Sequence, residues 1–116
     1  MKQFLQTLET APDSISFNDT ITVIDANFDF TPTAFRNGEL HNEAGQNNGS
    51  CKVFSFAKLH HLTTQQTLHC FGSYYRDDVL NHPQGSDHQN IRNFIKTGWE
   101  GIVFEDNALA LKKKQA

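Results

Sequence analysis

The chain has 116 residues, with hydrophobic positions at 37%, charged positions at 20% and ten phenylalanines, which suits one buried core and leaves too little length for two. Its formal net charge is -3, and three of its ten basic residues form the run Lys112, Lys113 and Lys114, so the body offers none of the basic stripe of a nucleic-acid reader. No apolar stretch reaches the roughly 18 residues of a membrane span and no signal-peptide apolar region opens the chain, so one cytosolic domain over residues 1–116 is expected, with a short basic tail at 112–116.

Phe4, Leu5 and Leu8 share a helical face, and Ala11-Pro12 ends it, predicting a first helix over 2–10. Ser16 precedes Asp19 by three, and Phe17, Ile21, Ile24 and Phe28 continue at helical spacing, predicting a second helix that stops before Thr31-Pro32. Asn37-Gly38 between β-compatible residues predicts a two-residue primed turn, with strands at 33–36 and 39–42. Ser50 reads as the N-cap of a third helix ending near His60 or His61. Thr63 and Gln66 form the capping box of a fourth, with Leu68, Phe71, Tyr75 and Val79 on its buried side. Ser86 and Gln89 repeat that spacing for a fifth, which should bury Ile91, Phe94 and Ile95 and end at Gly98. The segment "GIVFEDNALAL" reads as a second hairpin turning at Asp106-Asn107. The expected fold is α+β, about five helices packed on a small antiparallel sheet built from two hairpins near 33–42 and 101–111.

Residues 42–52, "NEAGQNNGSCK", have almost nothing to bury, so ordering them needs partners for their polar groups. If Ser50 caps the third helix, the free N–H groups of Cys51, Lys52 and Val53 leave a positive helix end suited to an anion; the bland alternative is that the Ser50 hydroxyl and water satisfy them. The segment "GSDHQNIRN" at 85–93 has the same grammar, with a solvated outer face as its bland alternative. The candidate binding residues are Arg36, Asn42, Asn47, Asn48, Ser50 and Lys52 from the first region and Asp87, His88, Asn90 and Arg92 from the second. Asn47 or Asn48 should meet the start of the fifth helix, with Arg92 or His88 facing the gap. The partner expected is a small anion or another protein, with no nucleic acid and no membrane.

A catalytic alternative uses Cys51 at a helix N-terminus, where the dipole favours thiolate, with His88 as base and Asn90 or Asp87 as orienter. The flanks Gly49 and Lys52 and the short separation of Cys51 from His88 differ from the papain-like pattern. Cys51 and Cys70 follow no metal or redox spacing and are expected as reduced thiols. The six histidines show no paired-ligand spacing and no phosphate-loop pattern occurs, so neither a metal nor a cofactor is expected.

The stretches "VIDANFDFTPTAFRNGELHNEAGQNNGSCKVF", "YYRDDVL" and "HPQGSDHQNIRNF" resemble the HopJ type III effector family of bacterial proteins over roughly residues 4–111. The resemblance implies a small α+β domain with an antiparallel sheet, in proteins delivered from bacteria into host cells, and it implies no catalytic activity or cofactor. Its characteristic stretches fall at Thr31–Asn37, Asn42–Lys52, Tyr75–Arg76 and Pro83–Arg92. A flexible Ser-rich delivery segment does not precede Phe4, which makes a resident bacterial relative the alternative to an effector. The expected location is the bacterial cytoplasm, or a host cell if the protein acts as an effector.

Overall fold

Residues 51–57 are apolar on nearly every side, and the helix they form becomes the axis of the molecule. The computed structural model describes residues 1–112. In it Cys51, Val53, Phe54, Ser55, Phe56 and Ala57 of α3 (Asn48–Leu59) are all buried. Around this axis lie α1 (Lys2–Thr10), α2 (Phe17–Asn27), α4 (Thr64–His69), α5 (Gln89–Thr97) and strands β1 (Phe28–Phe30), β2 (Phe35–Asn37), β3 (Leu40–Asn42), β4 (Ile102–Phe104) and β5 (Leu109–Leu111). Phe54 is the hub. Its ring centroid lies 4.9 Å from Phe94, 5.4 Å from Phe71, 6.0 Å from Phe35 and 6.5 Å from Trp99, joining two helices and a strand through edge and tilted aromatic contacts. Ile24, Phe28, Phe54, Phe71 and Phe94 are all buried.

The fold is α+β, as expected, but the strands form two antiparallel sheets, β3-β2-β4 and β1-β5. The predicted second hairpin does not form: β4 pairs with β2, setting Phe104 opposite Phe35, and β5 pairs with β1, setting Leu109 opposite Phe30. Each apolar triplet thereby finds aromatic cross-strand neighbours, such as Phe35 and Phe104 stacked at 5.2 Å, that pairing with each other would deny them.

The first hairpin forms with its turn one residue later than predicted. Asn37 pairs with Leu40, so Gly38 and Glu39 are the loop, and Gly38 has φ 62, as a primed turn requires at its first central position. Moving the turn by one residue shifts the pairing of the two strands by two positions, which keeps their faces and brings Asn37 into the ladder. Strand alternation buries Phe35 and Asn37 and leaves Arg36 outside.

Several helix details depart from expectation, among them that α2 ends at Asn27 with Phe28 already in β1, and that α5 starts at Gln89 after His88 without a Ser86 cap. The fourth helix ends at His69, and a π-helical segment, Tyr74–Val79, follows. Between them Gly72 has φ 61 and passes so close to α2 that a Cβ there would lie 2.5 Å from the Phe17 nitrogen. The break still allows Leu68, Phe71, Tyr75 and Val79 to be buried. Helix α3 starts at Asn48 rather than after Ser50. On α5, Ile95 is 46% exposed because Asn90 takes the flank of the inward face beside Ile91 and Phe94.

That rotation is explained by a buried amide cluster. Asn37 and Asn42 lie diagonally on the inner face of the hairpin. Asn37 Nδ2 donates to Asn90 O at 2.7 Å and to Asn90 Oδ1 at 3.1 Å. Asn42 and Asn90 form a reciprocal pair, Asn42 Nδ2 to Asn90 Oδ1 at 3.1 Å and Asn90 Nδ2 to Asn42 Oδ1 at 3.0 Å. Asn47 Nδ2 donates to Asn42 Oδ1 at 2.7 Å. The hairpin, the start of α3 and the start of α5 are thus held by four side-chain amides.

Two substitutions test this architecture. Asn90→Ala would leave Asn42 Nδ2 without its acceptor and Asn37 with only the main-chain oxygen of residue 90, and should lower unfolding free energy by about 1–3 kcal/mol in denaturant titration. Gly72→Ala should cost roughly 2 kcal/mol or more, because positive φ and the Phe17 backbone both oppose a Cβ; an unchanged midpoint would show that the α4 break is not enforced there.

Candidate functional site

The N-termini of α3 and α5 open on one cleft of about 560 Å³, lined by Asn47, Gly49 and Ser50 on one side and His88, Gln89, Asn90 and Ile91 on the other. Leu40, Phe17, Phe71 and Tyr74 complete the wall. Both helices begin after a residue in the left-handed region, Asn47 at φ 53 and His88 at φ 51, and neither cap side chain accepts a hydrogen bond from its helix. The physical reason is that both side chains are engaged elsewhere. Asn47 donates to Asn42. His88 places Nε2 3.0 Å from Asp78 Oδ2 and 3.7 Å from Asp87 Oδ2, while its ring lies 5.2 Å from that of Tyr74 at 33°.

The first backbone N–H groups of each helix are therefore left without a side-chain cap. In α3 the first N–H with an intramolecular acceptor is that of Cys51, to Asn47 O, and in α5 it is that of Arg92, to His88 O. Asn48, Gly49 and Ser50, and Gln89, Asn90 and Ile91, have no acceptor for their N–H among the described residues. Two helix ends bring partial positive charge to one place. No lysine or arginine is among the lining residues. One flank is aromatic: Tyr74 is 42% exposed, and the Phe17 ring meets it at 5.2 Å and 60°.

The residues proposed from sequence divide accordingly. Asn47, Ser50, His88 and Asn90 line the cleft, and Asn42 is buried behind it in the amide cluster. Asn48 is exposed at the first position of α3. The remaining four lie elsewhere. Arg36 is exposed on the outer face of β2. Lys52 pairs with Asp25 at 2.8 Å and sits 5.1 Å over the Phe30 ring. Arg92 does not face the gap: it donates to Asp87 Oδ1 at 2.7 Å and to His82 O at 2.8 Å, binding the 82–87 loop. The Arg92 guanidinium beside it holds the Asp87 carboxyl below its usual range. Sequence reasoning missed Phe17, Leu40, Phe71, Tyr74, Gln89 and Ile91. Gln89 and Ile91 stood inside the stretch 85–93 already singled out, and the exposure of Tyr74 depends on the π-helical segment.

The thiol arrangement is contradicted by this geometry. Cys51 is 1% exposed, in the first full turn of α3 but beneath the cleft, and its Sγ donates to Thr33 O at 3.5 Å. Burial pushes its thiol pKa up, opposite to what a nucleophile needs. No hydrogen bond joins it to His88, which is held by Asp78. Cys70 is fully buried, and burial raises its thiol to about 12. Both thiols should stay unmodified by a disulfide-exchange reagent in the native protein and react fully once it is denatured; rapid native labelling of Cys51 would revive a thiol chemistry.

The comparisons with known proteins agree in direction. The family of the HopJ type III effector protein matches residues 1–109. A solved structure described as the unknown function protein VPA0580 is similar at 55% identity, covers 97% of this chain and 93% of its own, and superposes with a TM-score of 0.96. No curated protein matches. A match over nearly the whole length, with the same fold in a chain of such high identity, means that this chain belongs to the HopJ type III effector family.

Proposed function

We propose that this HopJ family member acts by binding, and that the cleft between the starts of α3 and α5 takes a small ligand with an anionic or strongly accepting group. The observation that carries the reading is that five residues with unpartnered backbone N–H groups, Gly49 and Ser50 at one helix start and Gln89, Asn90 and Ile91 at the other, line one cleft. Such groups favour an acceptor of negative charge. The cleft has the size of small-molecule sites, roughly 300–1,000 Å³, and a flat part of the ligand would stack against Tyr74 and His88. Because no lysine or arginine lines the cleft, a single negative charge suits it better than a multiply charged group. The family description supports delivery into a host cell as an effector, and residence in the bacterium remains the second reading; binding serves in either compartment.

The test is an amide-resolved NMR titration with benzoate and, separately, inorganic phosphate. The amides of residues 48–50 and 89–91 should shift together and saturate, with benzoate binding the tighter of the two. Ser50→Asp places a carboxylate at the third position of α3, where it should preserve or raise the thermal midpoint while weakening benzoate binding at least about tenfold. Shifts at neither helix start would overturn the proposal.

A further inference from the structure

The opposite end of α3 carries a different surface. Met1, Leu59 and Leu111 are 39%, 53% and 67% exposed, and the three surround one shallow hollow of about 370 Å³ floored by Phe28, His60 and Leu109. Strand pleat places Phe28 and Leu111 on one face of the β1-β5 pair and Asp29 with Ala110 on the other, so the nearest strand carboxylate points away from the hollow. Each exposed apolar residue has a lysine as its chain neighbour: Lys2 after Met1, Lys58 before Leu59, Lys112 after Leu111. None of these three lysines has an acidic partner among the described residues. The sequence continues with Lys113 and Lys114, outside the described residues. Three of the chain's ten basic residues thus adjoin these apolar positions in sequence, Lys58 with its Nζ 5.8 Å over the Phe104 ring, although the protein as a whole is acidic.

From this juxtaposition we infer that the end formed by Met1, Leu59 and Leu111 with their flanking lysines docks on an anionic lipid surface. Projecting apolar side chains supply one weak anchor and a basic cluster the other, and lasting interfacial attachment takes two such signals. No helix of the described residues is long and apolar enough to cross a membrane, and an interfacial contact requires none. A second copy is the poorer occupant, since symmetric contact would bring the two lysine clusters together. A peptide is poorer too, because the side chains project past the hollow instead of enclosing it.

The experiment is vesicle co-sedimentation of the full chain, using phosphatidylcholine alone and phosphatidylcholine mixed with phosphatidylglycerol. The protein should pellet only with the mixed vesicles, and raised salt should release it. The double variant Leu59→Ser with Leu111→Ser should bind at least about tenfold more weakly, at an unchanged thermal midpoint since both side chains are exposed. Val103→Ser, at an apolar position 58% exposed on the other sheet, should bind as the parent does. Failure to pellet with the mixed vesicles would overturn the inference. Pelleting that the double variant leaves intact would do so as well, assigning the attraction to the basic tail alone. So would a lipid-free dimer that the same variant dissolves, which would make a second copy the occupant.

Discussion

The main-chain carbonyl of Asn90 is the constraint from which the arrangement of the cleft follows. It can only accept, so the Asn37 side chain facing it must present Nδ2. The side-chain atom of Asn90 that also meets this Nδ2 must then be Oδ1. With Asn90 oriented, the reciprocal pair leaves a single choice for Asn42, and the Asn42 oxygen in turn makes Asn47 a donor. Four amides with ambiguous ends become a directed chain. Such a network specifies one register strongly, because any alternative leaves buried donors or acceptors unmet. Its one loose end is Asn37 Oδ1, which has no protein partner.

This chain of amides also explains why the cleft is open. Asn is a good N-cap, but Asn47 uses its side chain to reach Asn42 and therefore leaves its own helix uncapped. Asn90, anchored by the hairpin, fixes α5 so that its start faces the start of α3 across the gap. On the far side, Arg76 donates to the carbonyls of Pro12, Ile15 and His69, tying the π-helical segment that carries Tyr74 to the turn before α2. Arg92 does the same for the loop before α5. Two arginines thus act as struts behind the cleft walls, and neither lends it charge directly.

What could be read from the sequence was mostly what is decided locally. The capping boxes at Ser16 with Asp19 and Thr63 with Gln66 both form, every partner lying within one turn, whereas the one expected at Ser86 with Gln89 does not, because α5 begins at Gln89 after His88. The apolar faces of α1 and α2 follow from periodicity, and the family's residue pattern was specific enough to be recognised. The departures have distant causes. The turn at Gly38-Glu39 was displaced by the need to bury Asn37, whose partner is 53 residues away. The pairing of β4 and β5 with different sheets depends on Phe35 and Phe30, far upstream. Ile95 lost its place to Asn90 through a hydrogen-bond network that no hydrophobic pattern encodes. For the site, the polar character of 42–52 and 85–93 was visible, while the aromatic flank was not, since Phe17 and Tyr74 looked like ordinary helix positions.

The contrast among the helix starts bears on function. Within one short chain, α2 and α4 satisfy their first N–H groups with complete capping boxes, so this sequence uses local capping where nothing competes. Helices α3 and α5 are the two internal ones that do not, and they are the two that meet at the cleft. Each also enters through a non-glycine residue at positive φ, a conformation that is mildly unfavourable on its own. Local rules are usually broken where another demand outweighs them. Here the competing demand is structural in the first place, since Asn47 is drawn to Asn42 and His88 to Asp78. A ligand that takes its affinity from the same N–H groups would gain from that arrangement, since a side-chain cap at either helix would compete for the donors and lower occupancy of the cleft.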